Sequence, residues 1–215
     1  MRSISKYLTE SIKPSDIISP IDAIILIDVQ NTCVFEQYEF KDWGLTTKKC
    51  RQILPNIKKL VNICRKKDIE IIHILTKEWV KKELPSNINK LYNENPEATF
   101  YNKGLPKSLI NIKSNEKVFR KNNYSAWGGT NGELYKYIKK YKNPSLIIAG
   151  FYSTGCVNST IIEGFNNGIF WYIPLDCTET FDRKDKQEYQ KFLIKEWSYN
   201  YGHVKKSYKF LSGKN

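Results

Sequence analysis

The sequence has little of what several common functional sites require. Only two of its 215 residues are histidines, and it contains no Asp-x-His motif. Its five cysteines form no Cys-x-x-Cys pair, so we expect neither a zinc ribbon nor a dithiol redox site. No apolar run approaches the roughly 18 residues needed to cross a bilayer, and residues 1–20 lack the apolar core of a secretory signal. We therefore expect a cytoplasmic protein with no membrane contact.

Acidic residues are also scarce relative to basic ones. The 35 Lys and Arg outnumber the 22 Asp and Glu, giving a net charge of +13, which could attract a polyanion. The basic residues are scattered in pairs such as Lys58-Lys59 and Lys139-Lys140, as on a solvated surface. We favour that interpretation and expect no nucleic-acid partner; attraction of an anionic substrate stays open.

Short apolar runs alternate with amphipathic segments through most of the chain. Apolar runs typical of buried strands lie at 23–28, 69–75, 145–150 and 169–174. The mixed segment 116–120 is a plausible further strand, and a weaker one lies near 203–207. Helical spacing is found at 55–66, 130–141, 156–167 and 187–198, with Pro55 in the first turn. The alternation predicts a parallel sheet covered by helices on both faces.

One segment breaks the alternation. Residues 76–115 form a connection that is long for a compact domain and contains three prolines. We predict a functional loop, either a lid or an oligomer contact. The rest shows no linker, so we expect residues 1–215 to form one domain, with 1–20 as an N-terminal extension.

Three residues of complementary chemistry fall at the ends of predicted strands. Asp28 ends the first strand, Lys121 follows the third, and Cys156 opens the helix after the fourth. The carboxyl ends of parallel strands share one rim of the sheet. A helix N-terminus and an ammonium group both stabilise a thiolate, so we expect a lowered pKa for Cys156. Each residue alone has an ordinary structural explanation, and the prediction depends on their combination.

Three stretches of the chain resemble the isochorismatase-like cysteine hydrolases, a family that includes nicotinamidases, N-carbamoylsarcosine amidases and isochorismatases. ILIDVQN (25–31) is similar to its strand ending in Asp-x-Gln, and RKNNYSAW (120–127) to its Lys-x-x-Tyr-Ser-Ala-Phe motif. GFYSTGCVNST (150–160) is similar to Gly-x-x-Thr-x-x-Cys-Val-x-x-Thr. Trp127, Ser153 and Cys33 replace a Phe, a Thr and an aromatic residue of the family pattern. The resemblance covers about residues 20–200.

The resemblance implies a fold and a set of catalytic groups. The fold is a three-layer α/β/α sandwich around a six-stranded, mostly parallel, Rossmann-like sheet. The implied catalytic triad is Asp28, Lys121 and Cys156. A non-proline cis peptide bond at Phe151–Tyr152 is implied as well, directing the backbone N–H of Tyr152, together with that of Cys156, at an oxyanion.

The walls of the substrate pocket are harder to place. Our candidates are Gln30, Tyr124, Trp127 and Phe151, together with the 76–115 loop. For Tyr124 and Trp127, packing in the core is an equal alternative.

A metal site is not expected. Metal-dependent nicotinamidases of the family carry an Asp-x-His motif and a further histidine. Here His73 lies within an apolar strand pattern, where a hydrogen-bonded core histidine is the better interpretation, and His203 is far away in sequence. We therefore expect no metal and no other cofactor.

The function that we favour at this point is a cysteine hydrolase. It would cleave a C–N bond of a small amide or carbamoyl compound through a thioester intermediate. One alternative is an isochorismatase-type vinyl-ether hydrolase in secondary metabolism, in which Cys156 is dispensable. Another is a non-enzymatic oligomeric scaffold or basic binding protein. The expected partners are a small-molecule substrate and further copies of the chain, in a dimer or tetramer.

Overall fold

The sheet at the centre of the protein follows the predicted alternation. The computed structural model describes residues 20–35, 45–78, 84–94, 105–182 and 186–212. Its strands are β1 (Ala23–Ile27), β2 (Glu70–Thr76), β3 (Lys117–Lys121), β4 (Ser145–Phe151), β5 (Phe170–Pro174), β6 (Thr178–Glu179) and β7 (Gly202–Lys205). They are arranged in the order β3-β2-β1-β4-β5-β7, and each paired strand runs parallel to its neighbour. The two-residue β6 pairs with β4 and adds a seventh strand to the six expected.

Helices cover both faces of this sheet. They are α1 (Lys48–Lys66), α2 (Ser86–Glu94), α3 (Ala126–Gly129), α4 (Glu133–Ile138), α5 (Asn158–Asn166) and α6 (Lys186–Glu196). Alternate side chains of β1 face opposite ways: Ile24 and Leu26 pack in one core cluster with α1, whereas Ile25 and Ile27 pack in the other with α3 to α6. A strand buried on both faces needs a continuous apolar run, as found in β1 and β4. The predicted three-layer sandwich is confirmed.

Two helix predictions differ from the structure. Helix α1 begins at Lys48, so Pro55 lies in its interior; because Pro55 is exposed, water can bond the carbonyl that it leaves without a partner. The segment 130–141 does not form one helix, since Asn131 (φ 53°) and Gly132 (φ 77°) adopt left-handed backbone conformations between α3 and α4. Left-handed residues cannot continue a right-handed helix.

The segment 76–115 contains more regular structure than a plain loop. Helix α2 lies within it, and Ser108 forms an antiparallel bridge with Gln30, so this segment returns to the end of β1. Residues 79–83 and 95–104 lie outside the described part, as does all but Pro20 of the expected N-terminal extension. Within the described part, no helix is both long and apolar enough to span a membrane.

Candidate active site

The ends of β1 and β3 and the turn after β4 bring the candidate catalytic residues together. Asp28 directly follows β1, Lys121 is the last residue of β3, and Cys156 lies in the π turn that follows β4. Because β2 lies between β1 and β3, the main chains at Asp28 and Lys121 are separated by two strand spacings, roughly 10 Å. A lysine side chain is long enough to cross the end of β2, which explains the residue type at this position.

The Lys121 ammonium group is the centre of the site. Its Nζ atom lies 2.8 Å from Asp28 Oδ2 and donates a hydrogen bond of 3.1 Å to Cys156 Sγ. A third hydrogen bond, of 3.1 Å, goes to the carbonyl oxygen of Asn123. An ammonium group has three N–H donors, so all three are used. Lys121 and Asp28 are both buried, which fixes this geometry and strengthens the electrostatic attraction between them.

Asp28 is held in a state that favours proton transfer. Its Oδ1 atom is buried and finds no hydrogen-bond partner among the described residues. Burial raises the pKa of Asp28, while Lys121 and the Cys156 thiol lower it, and the net pKa lies above the ordinary value. The same ion pair raises the pKa of Lys121, although burial alone would lower it. Lys121 is therefore a permanent cation, and Asp28 is the group that can gain and lose a proton.

The pKa of Cys156 differs from the expectation. Burial raises the pKa of the thiol to about 12, because the lowering effect of Lys121 is outweighed by burial together with the negative charge of Asp28. Cys156 also lies before the first residue of α5, not within it. The expected low pKa was wrong for the resting protein: the sulfur is held as a neutral thiol beside a possible proton acceptor. All five cysteines are free, and Cys156 is partly exposed whereas the other four are buried.

The turn before Cys156 has the predicted backbone. The Phe151–Tyr152 peptide bond is cis, as expected. The Tyr152 carbonyl accepts hydrogen bonds from the N–H groups of Gly155 (3.0 Å) and Val157 (3.1 Å). The Tyr152 hydroxyl donates to the carbonyl of Cys33 (3.0 Å). These contacts fix the turn that carries both Tyr152 and Cys156, the two candidate N–H donors to an oxyanion.

Gln30 has a different role from the pocket wall that we expected. It is fully buried, and its Nε2 donates to the hydroxyls of Thr32 and Thr76, both at 2.7 Å. Its Oε1 accepts from the N–H of Thr76 at 3.0 Å. Both amide N–H groups and the amide oxygen are thus bonded within the protein, and they connect the end of β1 to the end of β2.

Two of the three aromatic pocket candidates belong to the core. Trp127 is 2% exposed, donates through Nε1 to the carbonyl of Thr160 (2.9 Å) and packs edge-on against Trp171. Phe151 is fully buried in the cluster beneath α1. Their apolar character serves packing: Trp127 takes the core alternative of its two interpretations, and Phe151 is packed in the core where a pocket wall was expected. Tyr124, three residues after the end of β3, is 40% exposed, and its role in a pocket stays a prediction.

The histidines take structural positions. His73 is buried in β2, and its Nε2 lies 3.0 Å from Glu116 Oε2, which confirms the predicted hydrogen-bonded core histidine. His203 packs against the rings of Phe170 and Tyr172. Within the described ranges, no group of three His, Cys, Asp or Glu side chains is placed to hold a metal ion.

Two contributors to the site were not found by sequence reasoning. The carbonyl of Asn123 binds Lys121, and residue type carries no signal for a backbone contact. Thr160 bonds the carbonyl of Cys156, and its place as the last residue of the third motif was the available signal.

The fold and the geometry of this rim together define a Rossmann-like α/β protein with an enclosed Asp–Lys–Cys cluster at the carboxyl ends of its strands. The sequence model of the isochorismatase domain matches residues 22–204. The chain therefore belongs to the isochorismatase family and is a hydrolase of that family.

Individual relatives are distant. The chain is 26% identical over 158 residues to N-carbamoylsarcosine amidase from an Arthrobacter species, covering 71% of this chain but only 57% of that relative. It is 24% identical over 169 residues to the uncharacterized isochorismatase family protein YrdC of Bacillus subtilis, covering 77% and 78% of the two chains. The crystal structure of a cysteine hydrolase from Pseudomonas syringae superposes with a TM-score of 0.73 at 17% identity, covering 89% of this chain and 92% of that one. At that identity, the superposition establishes the fold alone.

Proposed function

We propose that this protein is a cysteine hydrolase that cleaves a C–N bond of a small amide or carbamoyl compound. One observation carries the proposal: a single buried ammonium group, Lys121 Nζ, contacts both Asp28 Oδ2 and Cys156 Sγ. A carboxylate, a cation and a cysteine thiol held together by one ammonium group are the parts that nucleophilic catalysis requires. The similarity to a protein named N-carbamoylsarcosine amidase supports carbamoyl or amide chemistry.

The first half of the reaction forms a bond to sulfur. Because the pKa of Cys156 is about 12, the thiolate is rare at neutral pH, and proton removal must accompany attack. Asp28 accepts the thiol proton as Sγ bonds to the substrate carbonyl carbon. The carbonyl electron pair moves to oxygen, and the N–H groups of Tyr152 and Cys156 stabilise that oxyanion. Lys121 remains charged throughout. Its positive charge stabilises the negative charge, which shifts from Asp28 to the substrate oxygen during attack.

The second half releases both products. The oxyanion collapses, the C–N bond breaks, and Asp28 returns its proton to the leaving ammonia or amine, leaving a thioester on Cys156. Water then gives a proton to Asp28 and attacks the thioester carbon. Collapse of this second tetrahedral intermediate breaks the C–S bond, and the proton returns to sulfur. The raised pKa of Asp28 suits these two opposite proton transfers.

Vinyl-ether hydrolysis is the second candidate. Burial raises the pKa of Asp28, which favours its protonated form, and a protonated carboxyl can donate to a vinyl ether. In that reaction the sulfur of Cys156 forms no bond, so the two functions differ in their need for the thiol.

A substrate panel with matched variants separates the candidates. Purified protein is incubated with small amides, N-carbamoyl compounds and vinyl ethers, and products are followed by mass spectrometry. For amide turnover we expect Cys156→Ala to lose about 10³-fold or more in rate. Cys64→Ala, which removes a buried core thiol on α1, should keep its rate per folded molecule. Undiminished amide turnover by Cys156→Ala would refute the thioester mechanism, and vinyl-ether turnover by the same variant would favour the second candidate.

A further inference from the structure

One buried hydroxyl joins the two segments that carry Lys121 and Cys156. Thr160 lies in α5, one helical turn after the cysteine, and is fully buried. Its Oγ1 donates to the carbonyl of Cys156 at 2.7 Å and accepts from the backbone N–H of Ala126 at 3.0 Å. A hydroxyl has one donor and can accept at the same time, so both functions of this group are used.

Ala126 belongs to α3, the helix that packs against Lys121. Ala126 opens α3, and Gly129 closes it. A Cβ atom on Gly129 would lie 2.7 Å from Lys121 Cβ, so the backbone of α3 packs directly on the lysine. The carbonyl of Gly129 accepts from the N–H of Asn122 at 3.1 Å. Any displacement of α3 is therefore transmitted to the main chain at Lys121.

A second bond between the same helices does not involve the hydroxyl. Trp127 of α3 donates through Nε1 to the carbonyl of Thr160, and Trp171 donates through its own Nε1 to the carbonyl of Ile161, both at 2.9 Å. The two indole rings pack edge-on against each other. This bond supports packing of α3 on α5, and it offers a control because its removal leaves the Thr160 hydroxyl in place.

We propose that Thr160 is a positioning residue that sets the separation between Lys121 Nζ and Cys156 Sγ. The contacts form a closed ring, from Lys121 through α3 to the Thr160 hydroxyl, then to the Cys156 backbone, and back through the Nζ–Sγ hydrogen bond. Removing the hydroxyl takes away the acceptor of the buried Ala126 N–H and the contact that ties α3 to the Cys156 carbonyl, so the two segments lose the link that fixes their separation. The inference rests on the proposed function for the role of Cys156 as nucleophile.

The electrostatic consequence has a definite sign. Lys121 lowers the pKa of the Cys156 thiol, whereas burial and Asp28 raise it. A longer Nζ–Sγ distance weakens the lowering effect, so the pKa rises further and the thiolate fraction at a given pH falls. Well below the pKa, each unit of increase lowers that fraction tenfold.

The test is the pH dependence of Cys156 alkylation in the intact protein, which needs no substrate. Iodoacetamide labelling is followed between pH 7 and 10.5, and the rate at Cys156 is measured by peptide mass spectrometry. Thr160→Val, of nearly equal volume, should slow labelling at least fivefold at each pH. Thr160→Ser, which keeps the hydroxyl, should stay within twofold of the natural protein. Trp127→Phe should lower the melting temperature yet leave the rate within twofold.

A merely structural role for Thr160 predicts a different result. The melting temperature of Thr160→Val would then fall while its labelling profile matched that of the natural protein, and this outcome overturns the proposal. If Thr160→Val does not fold, Thr160→Ala takes its place with the same expectations. Alanine removes the hydroxyl without placing a second methyl group against the Ala126 N–H and the Cys156 carbonyl. If Cys156→Ala kept its amide turnover, the proposed function would fail. The labelling rates would still show whether the Thr160 hydroxyl sets the reactivity of Cys156, because they need no substrate.

Discussion

The protein contains two buried charged clusters of opposite character. The first is the proposed catalytic cluster of Asp28, Lys121 and Cys156, in which Asp28 Oδ1 finds no hydrogen-bond partner among the described residues. The second, here called the Glu116 network, joins Arg65 of α1 and His73 of β2 to a carboxylate just before β3. Both clusters bridge separate elements next to the sheet, yet only one has the properties of a reactive site.

The difference lies in how completely the carboxylate is paired. Glu116 Oε1 accepts from Arg65 Nε at 2.7 Å, and Oε2 accepts at 3.0 Å from Arg65 Nη2, the His73 ring and the N–H of Lys113. Burial alone would raise the pKa of Glu116, but these hydrogen bonds lower it to about 2. Asp28 has a raised pKa instead. A fully paired carboxylate stays ionised and stabilises the fold, whereas a partly paired one can exchange a proton.

The largest effect is expected when Asp28 loses its ability to accept a proton. Asp28→Asn should reduce kcat on an amide substrate about 10²- to 10⁴-fold, because the amide cannot act as a general base. Asp68→Asn is a matched control: this exposed aspartate also has a left-handed backbone (φ 55° against 51°) and should keep full activity. Equal rates for Asp28→Asn and the natural protein would remove the catalytic cluster from the mechanism.

The Glu116 network should respond in the opposite way. Glu116→Gln should lower the free energy of unfolding by about 2–4 kcal/mol, since Arg65 and His73 lose a buried charged partner. Turnover per folded molecule should change less than twofold. Urea denaturation and active-site titration measure the two quantities, with the exposed Glu188→Gln as control. A variant with natural stability but impaired turnover would reverse the assignment of the two clusters.

The same contrast predicts an acid transition. A carboxyl whose folded pKa lies below its ordinary value of 4.5 stabilises the fold above that value, and the contribution is lost as pH falls toward about 2. For Glu116 this amounts to about 3 kcal/mol. Unfolding free energies measured from pH 6 to pH 2 should therefore fall less steeply in Glu116→Gln than in the natural protein. Parallel curves would contradict the pairing described for Glu116.

The smallest effect concerns the support of the catalytic rim. Gln30→Leu should cost about 1–3 kcal/mol of stability, because the N–H of Thr76 loses its acceptor and two hydroxyls lose a donor. Thr76→Ser keeps both groups and should cost less. The comparison is made by thermal unfolding, and a larger loss in Thr76→Ser would show that the methyl group of Thr76, not the Gln30 amide, supports this rim.

Much of the fold and the identity of the clustered residues could be predicted. The strands were found because runs such as 23–28 and 145–150 are apolar without interruption, a pattern that burial on both faces requires. Asp28, Lys121 and Cys156 were found because parallel strands place their carboxyl ends on one rim. The break between α3 and α4 was missed, although Asn131-Gly132 was a readable signal for left-handed backbone.

The assignment of pocket and core could not be made from residue type. Trp127 and Phe151 are large and apolar, and such side chains suit a substrate wall as well as a buried cluster. Only the positions of α5 and Trp171 show that Trp127 faces the core, and only the packing beneath α1 shows the same for Phe151. Gln30 was misassigned for a related reason, since a side-chain amide serves internal and ligand hydrogen bonds equally well.

The amino-acid sequence by itself determined the order of strands and helices and the chemical groups at the sheet rim, because both follow from local patterns of apolar and reactive residues. The tertiary structure alone decided the ionisation of those groups. Whether the pKa of Cys156 rises or falls depends on the balance between burial and the distances to Asp28 and Lys121, which lie 128 and 35 positions away in sequence. Desolvation and Coulomb interactions act through space, so that balance exists only once the chain has folded.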